Sequence, residues 1–227
     1  MGDGSGTASN AAGTVDVTGA NFGIYAANYL AGALTISAND VTGTSDDAIR
    51  ARNNFGGSTL SVTTSGTVSS NTDDGIDATN RGTGDLTITS TGSVTGAQMG
   101  IRANNYYGGA VTVSAENATG TTGFGINATN GPGGTSLSVT STGTVTGDMV
   151  GIFAGNAGTG DLMITSTNAS GTGQVTGMGG VVAINTGGGA VVIETDNTTG
   201  QLDGIYAIND AAGSSIEITA LGTTTSD

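Results

Sequence analysis

The feature that most constrains this chain is a ten-residue phrase, Gly-Ile-x-Ala-x-Asn-x-x-x-Gly, that recurs eight times. The copies begin at Gly23, Ala48, Gly75, Gly100, Gly125, Gly151, Gly180 and Gly204, at intervals of 25, 27, 25, 25, 26, 29 and 24 residues. Self-similarity at a period of about 20 to 50 residues marks a solenoid, in which each repeat buries its apolar face only against its neighbours. Disorder is the rival reading of so much Gly, Ser, Thr and Asn, but a disordered chain has no reason to hold one phrase in phase.

Composition agrees with thin coils and not with a globule. The 227 residues include 43 glycines and one proline, no Cys, His, Trp or Lys, and only 4% aromatics. A globular core needs more large side chains than that. A stack of coils needs only a few Val, Ile, Leu and Ala from each.

Between the Gly and the Asn of the phrase, apolar and variable residues alternate, as in Ile101-Arg102-Ala103-Asn104, the period of a strand with one buried face. A second alternating segment follows in every repeat, beginning at Leu34, Leu60, Leu86, Val111, Leu137, Leu162, Val191 and Ile216. A third, shorter one centres on Val17, Val41, Val68, Val94, Ala118, Val145, Val175 and Thr198. Three strands in about 25 residues make one coil of a three-sided parallel β-helix, and parallel crossovers favour the right-handed form. Eight such coils at ~4.8 Å give a rod on the order of 40 Å long. Residues 1–227 read as one domain, with 1–22 a partial coil. A small insertion at 166–174 accounts for the longest interval.

The phrase asparagines, Asn28, Asn53, Asn80, Asn105, Asn130, Asn156, Asn185 and Asn209, are each followed four residues later by Gly. Asn tolerates left-handed backbone angles and Gly adopts them freely, so this pair predicts a sharp corner. Stacked on one another, the Asn amides are placed to hydrogen-bond as a ladder.

Gly-Ile-Tyr-Ala-Ala-Asn at 23–28, Gly-Thr-Gly-Asp-Leu-Thr-Ile-Thr-Ser-Thr-Gly-Ser-Val-Thr-Gly at 82–96 and Leu-Ser-Val-Thr-Ser-Thr-Gly-Thr-Val-Thr-Gly at 137–147 resemble the passenger repeats of bacterial autotransporters. These are the secreted right-handed β-helices of type V secretion. The resemblance spans nearly the whole chain and implies an extracellular or cell-surface location, with a role as stalk, adhesin or self-associating surface. It also implies export unfolded, which the absence of cysteine suits. The family's signal peptide and C-terminal membrane barrel have no counterpart in these residues, so the chain is expected to be a segment of a longer solenoid.

Net charge is −14 and the pI near 4.1, with four arginines in all. Nucleic acid and anionic membrane both require clustered basic residues and are excluded as partners. Nor does this segment carry an apolar run that would insert directly into a membrane. Without His, Cys or Lys the usual general bases, thiol nucleophiles, zinc ligands and Schiff-base amines are missing, and the chain reads as no enzyme, with no cofactor.

Carboxylates remain. Asp46-Asp47 and Asp73-Asp74 fall at equivalent positions before adjacent copies of the phrase, which gathers four at one corner. Either they bind a hard cation such as Ca²⁺ or they are solvated turn residues, the more ordinary use of Asp. A polysaccharide-active β-helix enzyme would need a carboxylate pair in a groove with aromatic platforms. Tyr29, Phe55, Tyr106 and Tyr107 occupy the first turn, but in non-consecutive coils with Arg81-Gly82 between them.

After the phrase Ile, the outward residues run Tyr25, Arg50, Asp77, Arg102, Asn127, Phe153, Val182, Tyr206. Arg50, Asp77 and Arg102 alternate in charge; exposed pairs of this kind contribute ~0.5 kcal/mol each, which assigns them to register and solubility. Over the last three coils the column turns apolar. Phe153, Val182 and Tyr206, joined by Ile184 and Ile208 two residues further along their strands, form an expected interface for self-association or for a host or cell-surface ligand. The outward pairs of the second strand, Thr35/Ser37, Ser61/Thr63, Thr87/Thr89, Thr112/Ser114 and Ser138/Thr140, make a flat hydroxyl array. It resembles the ladders of ice-binding solenoids and breaks at Met163, Val192, Glu194 and Glu217. Thr is also a good exposed strand residue, which explains the array without a ligand.

Overall fold

The computed structural model describes residues 6–9, 17–171, 179–210 and 215–226, and across them the chain is all β, without a helix. Parallel strands stack as a β-solenoid of about eight turns with a repeat of about 26 residues. The phrase strands, from Ile24–Asn28 to Ile205–Asn209, form one eight-stranded sheet in chain order. All other strands belong to a 13-stranded sheet.

In the early coils the second and third strands are separate, as Gly32–Ala38 and Val41–Gly43. Further along they run on as one, in Leu86–Gly96, Val111–Gly120, Leu137–Gly147, Leu162–Gly171 and Val191–Gly200. The bend between the two sides is then a register shift within a hydrogen-bonded strand, at Ser90/Ser93, Ala115/Ala118 and Ser141/Thr144, and not a loop. A bulge turns a strand without ending its ladder.

This continuity corrects one sequence assignment. Ala169, not Val175, stands in line with Val145 and Thr198 in the third-strand column. Gln174-Val175-Thr176-Gly177 copies the local pattern, but Leu162–Gly171 leaves no residues to spare between its two halves. Residues 166–171 of the expected insertion therefore continue the strand, while 172–174 and Val175 lie outside the described residues.

The core consists of columns. Ile76, Ile101 and Ile126 are register partners and fully buried, as are Ala78, Ala103 and Ala128 beside them. Facing them across the coil stand Leu86, Val111 and Leu137 with Ile88, Val113 and Val139. Ile216 and Ile218 continue the second-strand columns but are 46% and 47% exposed, since only one neighbouring coil covers them.

The corner chemistry differs from expectation in part. Gly32, Gly109 and Gly189, four residues after their asparagines, have positive φ, but among the described residues no non-glycine residue does, so the phrase asparagines are not left-handed. They hold the corner with their side chains. Asn80 Nδ2 donates to the Gly84 carbonyl at 2.8 Å, and its Oδ1 accepts from the Gly82 amide at 3.0 Å and from Asn53 Nδ2 at 2.9 Å. At Gly57 and Gly134 a Cβ would stand 2.2 and 2.1 Å from the Asn53 and Asn130 side chains, so glycine is required there because the amide fills its space.

Amide-to-amide bonds join Asn28, Asn53 and Asn80, then Asn105 and Asn130, then Asn156 and Asn185. Among the described residues the ladder is thus made of segments, although all eight asparagines remain in register. Replacing Asn80 with Ala removes its hydrogen bonds to Gly82, Gly84 and Asn53, each worth ~1–3 kcal/mol where the partner is buried and left unsatisfied. Urea titration is expected to show Asn80→Ala losing several kcal/mol, and at least twice as much as Asn209→Ala, whose residue is half-exposed; equal losses would contradict the buried-corner account.

Candidate functional site

The acidic corner is the most charged place in the structure, and its organisation is not that of solvated turns. Asp47 and Asp74 are fully buried, with Asp46 and Asp73 half-buried beside them. Asp47 Oδ1 accepts the Asp74 amide at 3.1 Å and Asp74 Oδ1 accepts the Met99 amide at 3.0 Å. Each buried carboxylate thus caps the backbone of the next coil. Asp77, placed outward by the alternation, is also buried, at 0% exposure.

Three arginines cover this cluster. Arg50 reaches Asp47 Oδ2 at 2.5 Å and Asp46 Oδ1 at 2.7 Å, and lies 4.6 Å from the centroid of the Phe22 ring. Arg52 holds both oxygens of Asp77 in a fork. Arg102 contacts Asp74 Oδ2 at 2.5 Å and Asp77 Oδ2 at 3.3 Å. The Arg50, Asp77, Arg102 column is therefore a half-buried network and not the exposed ladder expected of it. Two paired charges taken out of water together are costly to separate, so the set is bound to the fold of coils two to four.

Carboxylate oxygens of Asp46, Asp47 and Asp73 lie within 4.8 Å of one another, as do those of Asp47, Asp74 and Asp77. These are the residues that could hold a cation. Their oxygens are already engaged by the Arg50, Arg52 and Arg102 guanidiniums and by the Asp74 and Met99 amides, which a metal ion would have to displace.

The expected apolar columns are in register: Phe153, Val182 and Tyr206 align, as do Gly155, Ile184 and Ile208. Tyr206 is 44% exposed, while Phe153, Ile184 and Ile208 are half-buried. Val182, expected to face solvent, is buried at 5% exposure between the larger Phe153 and Tyr206 rings. Phe124 extends the patch, its ring centroid 5.8 Å from that of Phe153.

The hydroxyl columns also align, from Thr35 and Ser37 through Ser61, Thr63, Thr87, Thr89, Thr112 and Ser114 to Ser138 and Thr140. A longer column escaped the sequence reading. On the third strand Thr18, Thr42, Ser69, Thr95, Thr119, Thr146, Ser170, Thr199 and Thr225 are consecutive register partners along the whole solenoid. The recurring Val-Thr-Gly triplet was its signal.

A second omission lies on the first turn. Phe55 and Tyr107 belong to coils separated by Arg81-Gly82, yet their ring centroids are 5.4 Å apart. Tyr106 stands 6.1 Å from Tyr107, and Arg81 lies 5.5 Å from the Tyr106 centroid.

In comparisons with known proteins, no family model, no curated protein and no solved structure matches the chain. Any functional reading stands on the surface chemistry just described and on the resemblance of the repeat phrases.

Burial, together with the nearby Asp77 charge, pushes the Asp47 carboxyl up to about 6 against the opposing pull of Arg50. Burial also raises Asp74, with Arg102 opposing. A carboxyl whose pKa is raised on folding binds more protons in the folded state, so stability is greatest below its ordinary value of ~3.9 and falls as pH rises through about 6. For Asp47 the difference is worth on the order of 3 kcal/mol. The thermal midpoint is expected to fall between pH 4.5 and 7 at constant salt, and Asp47→Asn to flatten that part of the profile. Millimolar Ca²⁺ is expected to leave the midpoint unchanged at pH 7; a calcium-dependent rise abolished by Asp74→Asn would mean that the ion displaces the guanidiniums.

Proposed function

We propose that the chain is a non-enzymatic stalk of a secreted or cell-surface bacterial protein, of the autotransporter passenger type, that associates side by side with a second copy. The observation that carries this reading is the pair of apolar columns on the outer face of the phrase sheet in the last three coils. Phe153, Ile184, Tyr206 and Ile208 leave apolar surface in water where coils two to five carry Arg, Asp, Asn and Thr. Contiguous apolar surface rimmed by polar residues marks an interaction site. An apolar patch of this kind is suited to two-fold pairing, in which each copy offers the same surface to the other.

The absence of catalysis is supported by side-chain chemistry. The buried carboxylates are engaged by guanidiniums and backbone amides, which leaves them as structural anchors. No His, Cys or Lys is present to act as base or nucleophile.

Sedimentation velocity at physiological salt, which screens the charge of −14, is expected to show a monomer giving way to a dimer from micromolar to hundreds of micromolar concentration. Ile184→Asp is expected to hold the chain monomeric with an unchanged circular dichroism spectrum. A wild-type chain that stays monomeric throughout, or a dimer indifferent to Ile184→Asp, would remove this interface.

A further inference from the structure

The aromatic cluster on the first turn lies on different coils from the apolar columns and is unrelated to their pairing. Phe55, Tyr106 and Tyr107 are 66%, 44% and 53% exposed, far more than a side chain needed for packing. They emerge from turns immobilised by the corner asparagines: Asn53 and Asn105, at the ends of the strands that lead into these turns, are both buried. The rings are therefore held in place before any ligand arrives, and a Tyr or Phe side chain has only two torsions to lose on binding.

Counted from the corner Asn, Phe55 and Tyr107 stand at the same position, in coils separated by one intervening coil. Coils two windings apart lie ~10 Å from each other, so the two side chains lean together across the turn between them. That turn packs on the coil below it: the Thr83 amide donates to the Gly57 carbonyl at 3.2 Å, and a Cβ at Gly82 would stand 2.3 Å from the same oxygen. The rings of Phe55 and Tyr107 meet at an interplanar angle of 40°, and Tyr106 continues the row at 36° to Tyr107. The result is a row of three exposed rings.

Arg81 stands at the edge. The other three arginines are committed to the acidic corner, whereas Arg81, among the described residues, makes no ion pair and rests on the Tyr106 ring. It supplies several hydrogen-bond donors beside an aromatic row. The Asp85 carboxylate accepts the Ala110 amide at 2.8 Å.

We propose that this turn is a glycan-binding platform, on which Phe55, Tyr107 and Tyr106 stack the C–H faces of neutral hexopyranose units and Arg81 donates hydrogen bonds to their hydroxyls. The electron-rich face of an aromatic ring attracts the weakly positive C–H face of a sugar, and ring spacings of 5.4 and 6.1 Å are near the length of one sugar unit. The charge of −14 repels polyanions and leaves an uncharged sugar as the matching occupant. A protein partner fits less well: three half-exposed rings present a few hundred Å², well short of the ~800 Å² per partner of a stable protein interface.

The test titrates the full chain with cellohexaose, maltohexaose, chitohexaose and, as the charged comparison, tetragalacturonate, observing the tyrosine ring resonances. The expected result is saturable binding of at least one neutral hexasaccharide that shifts Tyr106 and Tyr107. Tyr107→Ala is expected to weaken that binding about tenfold, Phe55→Ala to weaken it in parallel, and Phe153→Ala to leave it unchanged, with all three variants retaining the wild-type circular dichroism spectrum. Absence of binding at millimolar sugar, binding indifferent to both Tyr107→Ala and Phe55→Ala, or a preference for the galacturonate would each overturn the proposal. So would a change in sedimentation caused by Tyr107→Ala, which would make the platform a protein contact. Failure of the side-by-side dimer has no bearing on any of these outcomes.

Discussion

Hydrogen bonding between backbones one winding apart is the constraint on which the rest of this structure depends. Residues about 25 apart become lateral neighbours at the spacing of paired strands, so every position in the repeat becomes a column, and every column must accept the same side-chain size in successive coils. The requirement explains the composition. Ile, Leu, Val and Ala fill the narrow coil interior, and among the described residues the aromatic and Met side chains stand outside or on turns. Corners face the same restriction, which is met by an amide folded back into the turn and a glycine that leaves room for it.

Stacking also concentrates charge. Asp47, Asp74 and Asp77 would be unremarkable on separate turns, but the register brings their oxygens within 4.8 Å of one another and buries them. The guanidiniums of Arg50, Arg52 and Arg102 make that tolerable. Each carboxylate that also caps an amide of the next coil turns a liability into a tie between windings, at the cost of a raised pKa where desolvation outweighs the ion pair. The outer face of one sheet thus changes character along its length, from this charged network in coils two to four to apolar columns in coils six to eight.

Because the coils are held by backbone and core, outward and turn residues are free to vary without disturbing the fold. Function in such a scaffold is written in what neighbouring coils place side by side, and a missing side chain matters as much as a present one. Phe55 and Tyr107 meet across an intervening coil; Gly155 leaves space beside Ile184. The same logic makes the third-strand hydroxyl column continuous, since Thr or Ser recurs wherever Val-Thr-Gly or a variant of it ends a coil.

The repeat phrase alone determined the all-β parallel solenoid, its number of turns, the inward columns and the register of the corner asparagines. Period and alternation are properties of the chain itself, and stacking translates them directly into space. Only the tertiary structure decided how the corners are made, where Asp47, Asp74, Asp77 and Val182 lie relative to solvent, and that Ala169 rather than Val175 completes its column. It alone showed that rings two coils apart touch. Burial of an outward residue depends on the size and lean of its neighbours in adjacent coils, and the choice between two look-alike triplets depends on a hydrogen-bonded strand continuing without spare residues; neither is encoded in the alternation of a single repeat.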